Sequence, residues 1–170
     1  MSYPFAPVAE PLDKAKLVSK IRDALAREIE ILVQSAVAAR EGATHEDAKP
    51  ENDKDTRGIE AGYLAGAQAK RVHELELIAA RLEYLEIRDF RKGDPIAVSA
   101  LVELDLDGAR HRYFLATAGG GLKFELEGVE VQVVTPEAPL GEQLVGKTAG
   151  DAFEMRAGRQ MREYEIVSVR

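Results

Sequence analysis

From Asp13 to Arg40 the chain contains neither glycine nor proline, and Val18, Ile21, Leu25, Ile29, Leu32, Ala36 and Ala39 return at steps of three and four residues. That spacing lays one apolar stripe along one side of an α-helix. Asp13 is placed to cap its N-terminus and Gly42 to end it. A second stripe, Ile59, Tyr63, Gly66, Ala69, Val72, Leu75, Ile78, Leu82 and Leu85, predicts a second long helix. Two such helices joined by a short loop fold back as an antiparallel hairpin, a coiled coil in which each covers the other's stripe. At 1.5 Å per residue the arm is about 40 Å long.

Residue size changes along this arm. Near the base stand Val18, Ile21, Leu25, Ile29, Leu75, Ile78, Leu82 and Leu85; toward the tip stand Ser35, Ala36, Ala39, Ala61, Gly62, Ala65, Gly66 and Ala69. Alanine is the best helix former, but a helical glycine costs roughly 1 kcal/mol relative to it, so propensity alone does not place Gly62 and Gly66 there. The expectation is a slender distal arm with closely approaching backbones.

Around Phe90 to Pro95 the run RKGDP breaks the helical pattern. Alternation follows from Ile96 to Leu106, Asp107-Gly108 signals a turn, and His111 to Thr117 reads as a second strand. Val129 to Val134, Ala152 to Met155 and Tyr164 to Val169 read as further strands, and Leu140 to Val145 as one short helix. The fold class is α+β: an extended leader over 1–12, a helical hairpin over 13–89 with its tip at 41–56, and a small antiparallel β domain with one short helix over 95–170.

A hydrophobic content of 45% in 170 residues is enough to build a core. The net charge of −7 opposes direct binding to a nucleic-acid backbone, so any role near nucleic acid runs through a protein partner. The absence of cysteine excludes disulfides and thiolate chemistry and suits a reducing compartment. No signal peptide and no membrane-spanning run is legible, and the expectation is a soluble, cytoplasmic protein.

The loop Glu41 to Thr56, EGATHEDAKPENDKDT, is the chemically dense part of the chain. Glu46, Asp47, Glu51, Asp53 and Asp55 crowd there against Lys49 and Lys54. Pro50 suits the first turn of a helix, and acids near a helix N-terminus complement its dipole. Residue types alone leave two readings open, a metal-binding tip or a solvated turn. Other motifs carry less. Gly119-Gly120-Gly121 lacks P-loop spacing and a following helix. His45, His73 and His111 lack the spacing of a zinc site, and no serine or histidine catalytic constellation is visible.

The C-terminal run TPEAPLGEQLVGKTAGDAFEMRAGRQMREYEIVSVR, with its proline, short apolar helix, Gly146-Lys147, Gly150-Asp151 and closing apolar strand, resembles the end of the Gre-type transcript cleavage factors of bacterial RNA polymerase. The helical hairpin, acidic tip and two-part arrangement are also similar, so the resemblance covers nearly everything after residue 12. It implies an FKBP-like C-terminal domain that grips the rim of the polymerase secondary channel, on the β′ subunit. It further implies an arm that enters the channel. There the tip carboxylates help to hold a second Mg²⁺ shared with the polymerase and to position water for cleavage of backtracked RNA. Such a factor is not itself an enzyme and carries no cofactor of its own; it stimulates the nuclease activity of the polymerase. Two-metal catalysis gives the physical reason, since an accessory carboxylate supplies a missing ligand.

The family tip reads Gly-Asp, two residues, Glu-Asn-Ala, one residue, Tyr. Here Glu51-Asn52 falls on the Glu-Asn pair, Asp47 stands one position early with Ala48 in the expected place, and Asp53 replaces the alanine. The resemblance thus carries Glu51 as an assisting carboxylate, with Asp53, Asp47 and Asp55 as candidates for the second, Asn52 as tip support, and Glu51 and Asp53 as the metal-holding pair jointly with polymerase. Its docking segment implies Pro139, Leu140, Gly141, Leu144 and Lys147 as the polymerase-facing residues. The alternative is a channel occupant that modulates transcription without cleavage. From a different class comes a prolyl isomerase or coiled-coil chaperone, for which the C-terminal part offers Tyr113, Phe114, Phe124, Phe153 and Tyr164.

Overall fold

The computed structural model describes residues 12–44 and 56–170. Helix α1 spans Lys14–Thr44 and α2 spans Thr56–Glu83. The expected cap is in place, with Asp13 Oδ1 accepting from the N–H groups of Ala15 at 2.9 Å and Lys16 at 3.2 Å. At its other end α1 continues past Gly42, which lies within the last helical turn. Ion pairs between Arg22 and Glu83 and between Glu28 and Arg71 show the antiparallel order.

The α1 stripe packs as its spacing predicts, with Val18, Ile21 and Leu25 buried and Ile29, Leu32 and Ala36 partly so. The α2 stripe holds from Val72 inward, but farther out Gln68 is partly buried and Gly66 and Ala69 are exposed. The cause is geometric. Steps of three residues walk around a helix of 3.6 per turn, leaving position 66 about 120° from position 72. A Cβ at Gly66 would meet nothing within 4 Å. That glycine is therefore not there for close backbone approach, contrary to the expectation for the slender arm.

Beyond α2 the strands are β1 Leu101–Leu106, β2 Ala109–Leu115, β3 Lys123–Leu126 and β4 Val129–Val134, then helix α3 Pro139–Leu144, and β5 Ala152–Ala157 and β6 Gln160–Val169. They form one sheet in the order β3-β4-β2-β1-β6-β5. Antiparallel pairing prevails as expected, except that β2 and β4 run parallel, with Tyr113 opposite Gln132. Placing β3 outside β4 sets this direction: the chain leaves β2, crosses to the edge and returns between the two. Strand β3 has no counterpart among the expected strands, because four residues, KFEL, between glycine turns are too few for alternation to register.

The sheet buries both faces at its centre. One face joins Leu101, Phe114, Leu126, Val131 and Val133 to Leu17, Ile21, Leu25, Leu75 and Leu82 of the arm in a single cluster. The other packs Val102, Leu104, Leu115, Phe153, Tyr164 and Ile166 with Leu144 of α3. The base of the arm and the sheet thus share a core.

Between α2 and β1 the chain is irregular. Helix α2 stops at Glu83, short of the expected hairpin end at residue 89, and β1 begins at Leu101, not at Ile96. Ser99 explains the later start of β1: it is fully buried with a left-handed φ of 73°, which interrupts the ladder. No helix among the described residues is long and apolar enough to cross a membrane.

Candidate functional site

Glu46, Asp47, Glu51, Asn52, Asp53 and Asp55 lie outside the described residues, so the tip enters only through the helices that carry it. Those helices are long: the 31 residues of α1 amount to about 45 Å. Residues 33–39 and 41 on α1 and 64–71 on α2 are all exposed or only partly buried. The distal arm stands clear of the sheet. It leaves Ile31, Val33, Val37 and Leu64 exposed along its sides.

The docking segment lies around α3. Pro139 begins the helix, where its fixed φ suits and its missing N–H costs nothing, and its side chain is exposed. Leu140 is half-buried against the core beneath. Gly141 is buried so tightly that a Cβ would fall 1.9 Å from the carbonyl oxygen of Thr135. Leu144 is 0% exposed. Gly141 and Leu144 therefore shape the segment from inside, while Pro139, Glu142 and Val145 form its outer surface, Val145 at 47% exposure. Val145 was not singled out from sequence, although an aliphatic residue just past a short helix and before Gly146 is a legible signal.

Lys147 is half-buried, and its carbonyl accepts from Ile96 N–H at 2.8 Å. Next to it the loop is held by Asp151, whose Oδ2 accepts from the N–H and the Oγ1 of Thr148 at 2.7 and 3.1 Å. Those hydrogen bonds hold the Asp151 carboxyl below its ordinary range, with a smaller contribution from the Lys147 charge.

The remaining motifs resolve into structure. In the triple glycine, Gly121 N–H donates to Val133 O at 2.8 Å and Gly119 O accepts from Leu122 N–H at 3.1 Å. Its geometry is that of a backbone turn. Among the described residues no group of three or more His, Asp or Glu could hold a metal ion. The aromatics divide between the faces of the sheet: Phe114 and Phe124 lie against the arm, whereas Tyr113, Phe153 and Tyr164 lie on the opposite side. Phe153 and Tyr164 stack at 5.3 Å. This split does not gather the aromatics into one cavity of the kind a prolyl isomerase needs.

At the base of the arm lies a constellation that no sequence motif marks. Lys14, 8% exposed, donates from Nζ to the carbonyls of Arg88 and Ser99. Its signal was its place on the apolar stripe, one turn before Leu17 and Val18.

No family model matches the sequence. Transcription elongation factor GreA of Methylococcus capsulatus is 26% identical over 133 residues, covering 78% of this chain and 79% of the relative. GreA of Mesorhizobium japonicum is 30% identical over 115 residues, covering 64% of this chain and 69% of the relative. Among solved structures, that of the transcription factor Gfh1 is 22% identical with a TM-score of 0.39, covering 89% of this chain and 92% of the other. On identity and coverage together, this chain belongs to the Gre-type family of transcription elongation factors.

Proposed function

We propose that this elongation factor binds bacterial RNA polymerase at the β′ rim of the secondary channel through the α3 segment, and that its arm enters the channel. There the tip carboxylates stimulate the polymerase's own cleavage of backtracked RNA. The observation that carries this reading is the arm: two antiparallel helices anchored at one end in the sheet core and free of it at the other. An anchored rod is suited to carry a chemical group to a recessed place. The exposed Ile31, Val33, Val37 and Leu64 offer apolar contact to a channel wall.

Glu51 is the first assisting carboxylate and Asp53 the second, with Asp47 and Asp55 in reserve and Asn52 supporting the turn. Glu51 and Asp53 hold Mg²⁺ only together with the polymerase. Nucleic acid is reached through the polymerase alone, which accords with the net charge of −7. A cytoplasmic location accompanies this role. In the docking segment Pro139, Leu140, Val145 and Lys147 make the contacts, and Gly141 and Leu144 hold their shape.

The experiment mixes the protein with backtracked elongation complexes and follows RNA length. Acceleration of shortening that is lost in Glu51→Ala/Asp53→Ala, with polymerase binding retained, supports the reading; no acceleration at saturating protein removes the cleavage role. The tip pattern favours a second reading, since Asp47 is displaced and Asp53 stands in place of alanine. It is a channel occupant that alters transcription without cleavage, and it predicts binding and changed RNA synthesis with no shortening.

A further inference from the structure

Three stretches far apart in the chain meet at Lys14. Its ammonium bonds the carbonyl of Arg88 and that of Ser99, the latter at 3.2 Å. It also sits over the ring of Phe90, 4.9 Å from the centroid. Ser99 is prepared for this. Its N–H donates to Leu115 O at 2.7 Å and its Oγ accepts from Arg88 N–H at 2.9 Å, leaving its own carbonyl for Lys14. The left-handed backbone of this buried non-glycine residue is a strained state that persists only where neighbours enforce it.

Among the described residues, no other link at the junction is both buried and directional. The apolar cluster shared by arm and sheet is large, but hydrophobic contact is non-directional. Lys20 bonds Glu125 O in β3 and Lys16 pairs with Glu127 on the β3–β4 turn at 3.8 Å, but both links are exposed. Among the described residues no carboxylate forms an ion pair with Lys14. Burial pushes its pKa down, with nearby Asp89 opposing. An apolar residue in this place would avoid that desolvation. What the cation supplies instead is a geometry.

We propose that Lys14, gripping the carbonyls of Arg88 and Ser99, is a clasp that sets the direction of the arm relative to the sheet. The clasp selects one orientation from those that the shared apolar cluster would accept. It is a property of this chain's junction and holds whether or not the tip stimulates cleavage.

The chain contains no cysteine, so two spin labels can be placed uniquely, at Gln34→Cys on the arm and Arg159→Cys on the β5–β6 turn. The distance distribution between them is measured by pulsed electron resonance. Wild-type background gives one narrow distribution. Lys14→Met broadens it roughly twofold or more, as expected when a hinge is released, and also lowers the melting temperature, because the carbonyls of Arg88 and Ser99 lose their donor. Ile166→Val, in the core on the other side of the sheet, lowers the melting temperature and leaves the width unchanged. A folded Lys14→Met protein with the wild-type width overturns the proposal. Should that variant fail to fold, a wild-type width in Lys14→Leu overturns it instead. Because the readout is a distance, its failure is separate from any failure of cleavage stimulation.

Discussion

Arg71 of α2 reaches Glu28 of α1, with Nη2 at 3.0 Å and Nε at 3.3 Å from the same carboxylate oxygen. The pair spans the arm where burial gives out, between buried Leu25 and Leu75 on the base side and the exposed distal turns. Both side chains are nearly half exposed, so solvent screens the attraction. Arg71→Ala should lower global stability by less than about 1 kcal/mol. It should nevertheless quicken amide exchange in the distal turns, residues 33–41 and 64–70, more than near Leu25 and Leu75. Equal acceleration along the whole arm would show that the pair does not mark this boundary.

Two glycines should respond oppositely to alanine. Gly66 has open space around it, and alanine there should stabilise the arm by about 0.5–1 kcal/mol through backbone entropy. Gly141 is pressed against the backbone of Thr135, and the same change should cost about 2 kcal/mol or more through forced displacement. Urea denaturation of the two variants distinguishes them by sign.

The α3 segment separates contact from support. Leu144→Ala removes a fully buried side chain and should cost about 2–5 kcal/mol. Val145→Asp alters an exposed position and should leave stability within about 0.5 kcal/mol, yet weaken capture by core polymerase. Undiminished capture by a folded Val145→Asp protein would move the docking surface elsewhere.

Acid should loosen the loop before β5. The Asp151 carboxyl is held below its ordinary value of 3.8 by hydrogen bonds from Thr148. Its folded value thus lies under its unfolded one. The stabilisation is complete above the unfolded value and is lost as pH falls through the folded value. Carboxyl chemical shifts should place the Asp151 titration below its ordinary value of 3.8, and Thr148 amide shifts should follow it. In Asp151→Asn the Thr148 amide should lose that titration step.

Much of the fold was legible because period and position agreed. The α1 stripe alternates three- and four-residue steps and therefore stays on one face, and Asp13 caps where a cap belongs. The α2 stripe contained a run of threes, and a count of apolar residues does not reveal that such a run drifts; Gln68 is partly buried where Gly66 is exposed. Strand β3 and the parallel pairing of β2 with β4 depend on where the chain crosses the sheet, which alternation does not encode. Around α3 the sequence located the segment but not its inside and outside, since Leu144 and Val145 are neighbours of similar chemistry and opposite exposure. Lys14 and Ser99 were missed for a related reason: their roles come from backbone carbonyls and a φ angle, which carry no residue signature.

The cluster that joins Leu17, Ile21 and Leu75 to Phe114 and Val131 makes the arm and the sheet thermodynamic partners. A helical hairpin cut away at Glu83 would expose the apolar side that Phe114 and Val131 now cover, and the sheet left behind would open one of its faces to water. The arm is thus not a detachable tool but half of a cooperative unit: heat that melts its base melts the floor it stands on.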